Sequence, residues 1–350
     1  MEKIDLTAFS KGAGCGCKIA PKVLEEILTA KGRGTFSDAR LLAGSEHNED
    51  AAAYQFDDEN LWLSSTDFFT PIVNDPFQFG QVAAANALSD IYAMGGQPLF
   101  TLAILGWPVE RLSPATAGEV MDGARNICHE AGVAIAGGHS VDIADPVFGL
   151  TVNGLVKRHN LKRNNTIREG DLLFITKPIG VGILATALKR GVIKAEDQRS
   201  LISQLIILNK IGFELGKLEG VTAMTDVTGF GIAGHLVEMC RGTGLSVELN
   251  FDRLPVMPGV YDYLRQNIIP DATYRNWNAY SGNLKIEPGV PMMPAFQLLP
   301  DPQTNGGLLF SVRPEAEPAI KQLLVNNGLA EFSNPIGKVL PGEESLIHVT

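Results

Sequence analysis

With 350 residues, 45% of them hydrophobic and 19% charged, the chain has apolar material for one large or two ordinary domains, and its length favours two. A formal charge of −10 opposes broad attraction to nucleic acid or an anionic membrane, since both rest on concentrated Lys and Arg. Four cysteines cannot build a disulfide framework, no apolar run approaches the ~20 residues that span a bilayer, and Met1-Glu-Lys-Ile-Asp5 lacks a signal peptide's basic start, so a cytoplasmic protein with reduced thiols and neither nucleic-acid nor membrane partner is expected.

Residues 1–48 open with Lys11-Gly-Ala-Gly-Cys-Gly-Cys-Lys18, where glycines permit unusual backbone dihedrals and a flexible glycine-rich segment is expected. Pro21 suits the first turn of a helix, and Val23, Leu24, Ile27 and Leu28 recur at helical spacing. Residues 49–157 alternate between strand and helix signals. Strands are predicted at 61–66, 99–105, 133–136 and 148–156, an Ala-rich helix over 79–94 and another over 115–131. The polar run 157–166 has no period and reads as a solvated linker. Residues 168–350 restart with a strand at 171–176, a Gly- and Ala-rich helix and a long helix near 196–216, then an irregular Pro-rich stretch from about 252 to 303. The fold class is α/β (α+β) in two domains.

Acidic residues are usually just solvated, but several here have unusual settings. Asp67 ends an apolar strand, Asp90 lies among Ala and Leu in the first helix, and Asp226 precedes the loop Val227-Thr-Gly-Phe-Gly231. Carboxylates in such places are costly unless they meet a cation or donors. Asn86 and Asp90, four apart, share a helix face and could reach one ligand. Carboxylates converging on nucleotide phosphates are a usual way to hold Mg²⁺, and helix caps or structural hydrogen bonds are the bland alternative.

The glycine-rich loop is not a Walker A motif, because Lys18 is followed by Ile19 and no strand precedes it. Lys18 can still bring a positive charge to phosphate oxygens. Cys15 and Cys17 flank Gly16 between Lys11 and Lys18, a setting that favours the thiolate for nucleophilic attack or chalcogen carriage. Cys128 and Cys240 sit in apolar runs and read as structural, and a zinc site lacks a second ligand pair at matching spacing. Gly137-Gly-His-Ser140 and Gly306-Gly307 read as glycine turns, with or without a ligand, and His139 and His235 as structural or ligand-orienting.

Gly12-Ala-Gly-Cys-Gly-Cys-Lys18, Glu49-Asp-Ala-Ala-Ala53, Ser65-Thr-Asp-Phe-Phe69, Asn86-Ala-Leu-Ser-Asp90 with Ala93-Met-Gly-Gly96, Gly137-Gly-His-Ser140, Thr225-Asp-Val-Thr-Gly-Phe-Gly231 and Asp301-Pro-Gln-Thr-Asn-Gly-Gly307 together resemble the selenophosphate synthetase family over nearly the whole chain. The acidic elements resemble more widely the superfamily of aminoimidazole ribonucleotide synthetase, thiamine-monophosphate kinase and the hydrogenase-maturation dehydratase. The Gly-Cys-Gly-Cys-Lys loop narrows the resemblance.

That resemblance implies a two-domain aminoimidazole ribonucleotide synthetase-like fold, a flexible segment at 1–48, an ATP-binding and dimerisation domain at 49–157 and a C-terminal domain at 168–350, with N-terminal domains pairing in a homodimer. The implied reaction converts ATP, selenide and water to selenophosphate, AMP and orthophosphate, with several Mg²⁺ ions per site. Cys15 and Lys18 match catalytic positions; Asp50, Asp90 and Asp226 match magnesium ligands. Lys18, His47, Asn48, Glu49, Asp67 and Asp90 fall where ATP contacts are expected, and Gly138, His139 and Ser140 would reach the nucleotide of the partner subunit. A selenium-delivery protein is a possible further partner. Some members have an Asp-Asp pair where this chain has Glu49-Asp50, and Ser where it has Asn305. The alternatives are another ATP-dependent kinase or synthetase of the superfamily and a non-catalytic chalcogen carrier, which would leave the acids without work.

Overall fold

A computed structural model describes residues 5–9, 14, 19, 23, 26–27, 38–44 and 49–350. The first half forms β1 (Leu41–Ala43), β2 (Ala52–Gln55), β3 (Asn60–Phe69), α1 (Pro76–Ala93), β4 (Gln97–Trp107), α2 (Pro114–Ala131), β5 (Ala134–Asp142) and β6 (Val147–Lys157). Its six strands are ordered β1-β2-β3-β6-β4-β5, antiparallel throughout except for the parallel β4–β5 pair at the edge.

Asp75 starts α1 by accepting from the Gln78 amide at 2.8 Å, and Pro76 occupies the first helical turn. Every residue from Val82 to Ala93 is buried. A helix apolar all round has to be covered all round, and α1 is: β3, β6 and α2 pack on it from the first half, elements of the second half from the other side. The α1–α2 crossing is backbone on backbone. A Cβ at Gly80 would lie 1.8 Å from the Val120 carbonyl oxygen, and one at Gly123 1.9 Å from that of Phe77.

The helices cover one face of this sheet, where Leu61, Leu63, Phe69, Phe148, Leu150 and Val152 are buried. The opposite face is open, with Phe68, Leu99, Leu102 and Val141 exposed.

The second half contains β7 (Leu172–Ile175), α3 (Val181–Lys189), α4 (Ala195–Ile206), α5 (Ile211–Gly216), β8 (Val221–Asp226), α6 (Gly231–Cys240), β9 (Leu245–Leu249), α7 (Val260–Leu264), α8 (Asp271–Tyr280), β10 (Leu284–Ile286), α9 (Met292–Leu298), β11 (Leu308–Val312), α10 (Glu317–Asn326), β12 (Gly337–Pro341) and β13 (Ile347–Val349). Its seven strands run β10-β13-β9-β12-β7-β11-β8. Edge strand β8, together with α4 and α5, packs against α1, and Ala93 of α1 joins an apolar cluster with Phe174, Ile211, Leu215, Met224 and Phe310.

Four sequence expectations are corrected. The long helix near 196–216 is broken at Ile207, whose backbone turns extended; the Leu205 and Ile207 carbonyls that would continue it accept instead from the Asn305 amide. The stretch 252–303 holds α7, α8, β10 and α9 between its prolines. Residues 157–166 are a solvated linker only at their ends, where Lys157, Arg158, His159 and Thr166 are exposed; Lys162 and Asn164 are buried, and the Lys162 ammonium donates to the Leu218 and Val221 carbonyls and its backbone amide to Met94. Gly137-Gly-His-Ser140 is no turn but part of β5. A Cβ at Gly138 would sit 2.1 Å from the Ala103 carbonyl oxygen, so glycine is what lets β5 lie against β4 there.

Candidate active site

Three separate segments deliver three acids, Asp90 and Asp226 buried and Asp50 half-buried. Asp50 lies just ahead of β2, Asp90 near the C-terminal end of α1, and Asp226 is the last residue of β8. One carboxylate oxygen from each lies within 4.8 Å of the other two. Like charges at that distance in a dry setting disfavour the ionised forms. Burial first, and the Asp226 charge second, push the Asp50 carboxyl well above the usual range, while the Thr225 hydroxyl opposes them. Thr225 donates to Asp50 Oδ1 at 2.9 Å; Asp50 Oδ2 is sealed from solvent without a hydrogen-bond partner. An orphaned carboxylate oxygen among other carboxylates is an environment that a hard divalent cation satisfies. The donor set fits magnesium.

Asp67 points from β3 toward α1, and its Oδ2 accepts from Asn86 Nδ2 at 2.6 Å. Asn86 Oδ1 accepts from the Asn305 amide at 2.7 Å. The Asn86 amide thus ties β3 and α1 to the loop before β11, where burial would leave an unused amide unsatisfied. Asn305 holds a left-handed backbone, φ +47°, and is fully buried.

Glu49, the neighbour of Asp50, is held by partners of its own. Its buried carboxylate accepts from Arg163 Nε at 2.6 Å and the Asn164 amide at 3.2 Å. The sequence reading missed Lys177, which ends the apolar run of β7. Its buried ammonium donates to the carbonyls of Ile207 at 2.7 Å and Asn305 at 3.0 Å. Burial brings its pKa down to about 7, against the pull of the Asp226 charge. A lone lysine closing an apolar strand was the available signal.

Gly138, His139 and Ser140 stand apart from this group. They lie on β5, three strands from β3 in sheet order, about 14 Å at the usual strand spacing. Cys15, Cys17, Lys18, His47 and Asn48 lie outside the described residues. Cys128 and Cys240 are buried, their thiols pushed up to about 11 and about 12 by desolvation. His235 is buried in α6, where its Nε2 accepts from the Thr228 amide at 3.0 Å, a structural contact two residues beyond Asp226.

Comparison with known proteins places this arrangement. Residues 48–156 match the N-terminal domain of AIR synthase related proteins and residues 168–349 their C-terminal domain. A selenide, water dikinase from Shewanella sp. strain ANA-3 is 49% identical over 92% of this chain and 90% of its own length. Another from Aeromonas hydrophila is 47% identical over 97% of this chain and 96% of its own. This chain belongs to the selenide, water dikinase family. Among solved structures, thiamine-monophosphate kinase from Stenotrophomonas maltophilia (TM-score 0.65, 18% identity, 95% and 96% of the two chains) and hydrogenase maturation protein HypE in complex with ATP (TM-score 0.62, 18% identity, 94% and 83%) share the fold. The family's kinship with AIR synthase related proteins thus spans both sheets. No described helix is long and apolar enough to cross a membrane.

Proposed function

We infer that this chain makes selenophosphate, converting ATP, selenide and water to selenophosphate, AMP and orthophosphate. The observation that carries the reading is the convergence of Asp50, Asp90 and Asp226 from three segments, in a chain nearly half identical to selenide, water dikinases. Magnesium held by these three acids, as several ions per site, would neutralise triphosphate oxygens as charge shifts during phosphoryl transfer. Asp67, oriented by Asn86, stands at the rim to bind the nucleotide. Glu49, which anchors the backbone beside Asp50, remains a proposed ATP contact on sequence grounds.

Cys15 and Lys18, outside the described residues, keep the roles their motif suggests: Lys18 steadies phosphate charge, and Cys15 carries, attacks with or positions the acceptor. His47 and Asn48 likewise remain proposed ATP contacts on sequence grounds. Gly138, His139 and Ser140 reach the nucleotide of a second copy in a homodimer built on the open face of the first sheet, where an exposed apolar surface of this kind favours a partner. Division into a segment at 1–48 and domains at 49–157 and 168–350, a cytoplasmic location and a selenium-delivery protein as transient partner belong to the same proposal.

The test is phosphorus NMR of an anaerobic mixture of protein, Mg-ATP and selenide beside one lacking selenide. A phosphorus signal coupled to selenium, appearing with AMP and orthophosphate, is expected. ADP without that signal would point to a kinase of the same superfamily, and no Mg²⁺-dependent ATP binding at all to a chalcogen carrier.

A further inference from the structure

Behind the three acids is a buried chain of hydrogen bonds that runs across the two halves of the molecule. Ser89, the neighbour of Asp90 on α1, lies 2.5 Å from Asp226 Oδ2 through its hydroxyl. Asn209, in the break between α4 and α5, reaches the same Ser89 oxygen with Nδ2 at 2.7 Å and the Gly306 carbonyl at 2.9 Å. Ser89 is fully buried, and Asn209 and Asp226 are each 1% exposed.

Donor and acceptor inventory fixes the direction of this chain. The Gly306 carbonyl can only accept, so the nitrogen of the Asn209 amide must face it, and the second amide hydrogen then falls to Ser89 Oγ. Ser89 has one hydrogen of its own, and with its oxygen already accepting, that hydrogen is directed at Asp226 Oδ2. A carboxylate oxygen held by a hydroxyl at this distance is pinned, and the bond favours the charged form. Oδ2 is thereby tied to α1.

We propose that Ser89 and Asn209 are positioning residues for Asp226, a one-way relay that orients its carboxylate toward Asp50 and Asp90 for a divalent cation. The proposal rests on the reading that these three acids hold that cation. Partners of this kind fix a ligand's orientation, and their loss typically weakens metal binding about tenfold to a hundredfold. Because Asn209 acts through the Ser89 oxygen, its effect on metal binding depends on Ser89 being present.

Mn²⁺ binding to the full-length protein, followed by electron paramagnetic resonance without nucleotide, reads this directly, with thermal melts run in parallel. Ser89→Ala is expected to raise the Mn²⁺ Kd by about tenfold or more, and Asn209→Ala by a smaller factor in the same direction. Asn209→Ala added to Ser89→Ala should cost no further Mn²⁺ affinity. Wild-type affinity in folded Ser89→Ala, or a full additional loss in the double variant, overturns the relay, as does a lowered melting temperature with unchanged Kd. If Ser89→Ala fails to fold, Asn209→Ala alone decides, with wild-type affinity overturning the proposal. Asp226→Asn is the control for the underlying reading. If it binds Mn²⁺ like wild type, the cation assignment falls; if it loses Mn²⁺ while Ser89→Ala keeps it, only the relay falls.

Discussion

Helix α1 and strand β5 both carry residues singled out from sequence, yet they sit in opposite surroundings. From Val82 to Ala93 no residue of α1 is even partly exposed, whereas β5 is exposed along almost its whole length. On α1, two buried polar side chains meet partners from elsewhere in the same chain: Asn86 meets Asp67 and Asn305, and Ser89 meets Asp226 and Asn209. On β5 the residues Gly138 to Ser140 pair through their backbone with β4. One half of the predicted site is thus assembled by folding. The other half is presented outward, where it can act on another molecule of the same chain.

The largest effect expected on the α1 side comes from Asp90→Asn. With Asp90 holding the cation as proposed, its removal forfeits several kcal/mol of charge stabilisation, about three orders of magnitude in turnover, measured as AMP release. Melting without Mg²⁺ should stay level or rise, because one of three mutually repelling acids is neutralised. A large fall in melting temperature would mean that Asp90 serves the fold.

Gly80→Ala probes the crossing that holds α1 in place. Its Cβ would meet the Val120 carbonyl oxygen at 1.8 Å, so the helices must separate, a cost of about 1–3 kcal/mol or more, read from urea unfolding. Gly118→Ala, on the same α2 helix where an added Cβ meets nothing within 4 Å, is the matched control and should be neutral or slightly stabilising.

The β5 side is tested by complementation. His139→Ala and Asp90→Asn, each inactive alone, should regain activity after unfolding and refolding together if β5 serves a partner's site. Random pairing makes about half of the dimers mixed, each with one intact site of two, so about a quarter of wild-type turnover is expected. No recovery would place His139 in its own chain's site or outside the reaction.

The most gradual effect is a pH slope. An unfolded lysine keeps its proton to about pH 10.5, whereas Lys177 in the fold loses it near pH 7. Between those values the unfolded chain binds more protons, so stability should rise with pH, by on the order of a few kcal/mol in all. Below pH 7 both states are charged and this contribution is flat. Lys162, lowered to about 8 by burial, adds a slope of the same sign. Lys177→Met should remove the larger part of the rise, as followed by chemical denaturation at pH 7 and pH 10.

Much of α1 and its Asp90 was legible because a long Ala-rich run has few ways to fold, and a carboxylate inside it stands out. The three magnesium candidates came from motifs, and the fold brings them within reach of one another. Ser89 and Asn209 left no such mark. A serine inside a helix and an asparagine between helices are ordinary in sequence, and only the docking of the two halves makes them partners. Part of 157–166 was misread for a related reason: polarity signals solvent on average, but the buried Lys162 ammonium is satisfied by the Leu218 and Val221 carbonyls and the buried Asn164 backbone amide by the Glu49 carboxylate. The glycines of β5 suggested a turn because their close neighbour, the Ala103 carbonyl, comes from a distant strand.

The half-buried strap at 161–165 also bears on how the molecule comes apart. Arg163 and Asn164 grip Glu49, the residue before Asp50, while the Lys162 amide binds the carbonyl of Met94, whose sulfur in turn accepts from the Ala51 amide. Melting either sheet alone would strip these partners from the other, so calorimetry should record a single transition with equal calorimetric and van't Hoff enthalpies. Two regions that match separate family domains in sequence would then behave as one indivisible thermodynamic body.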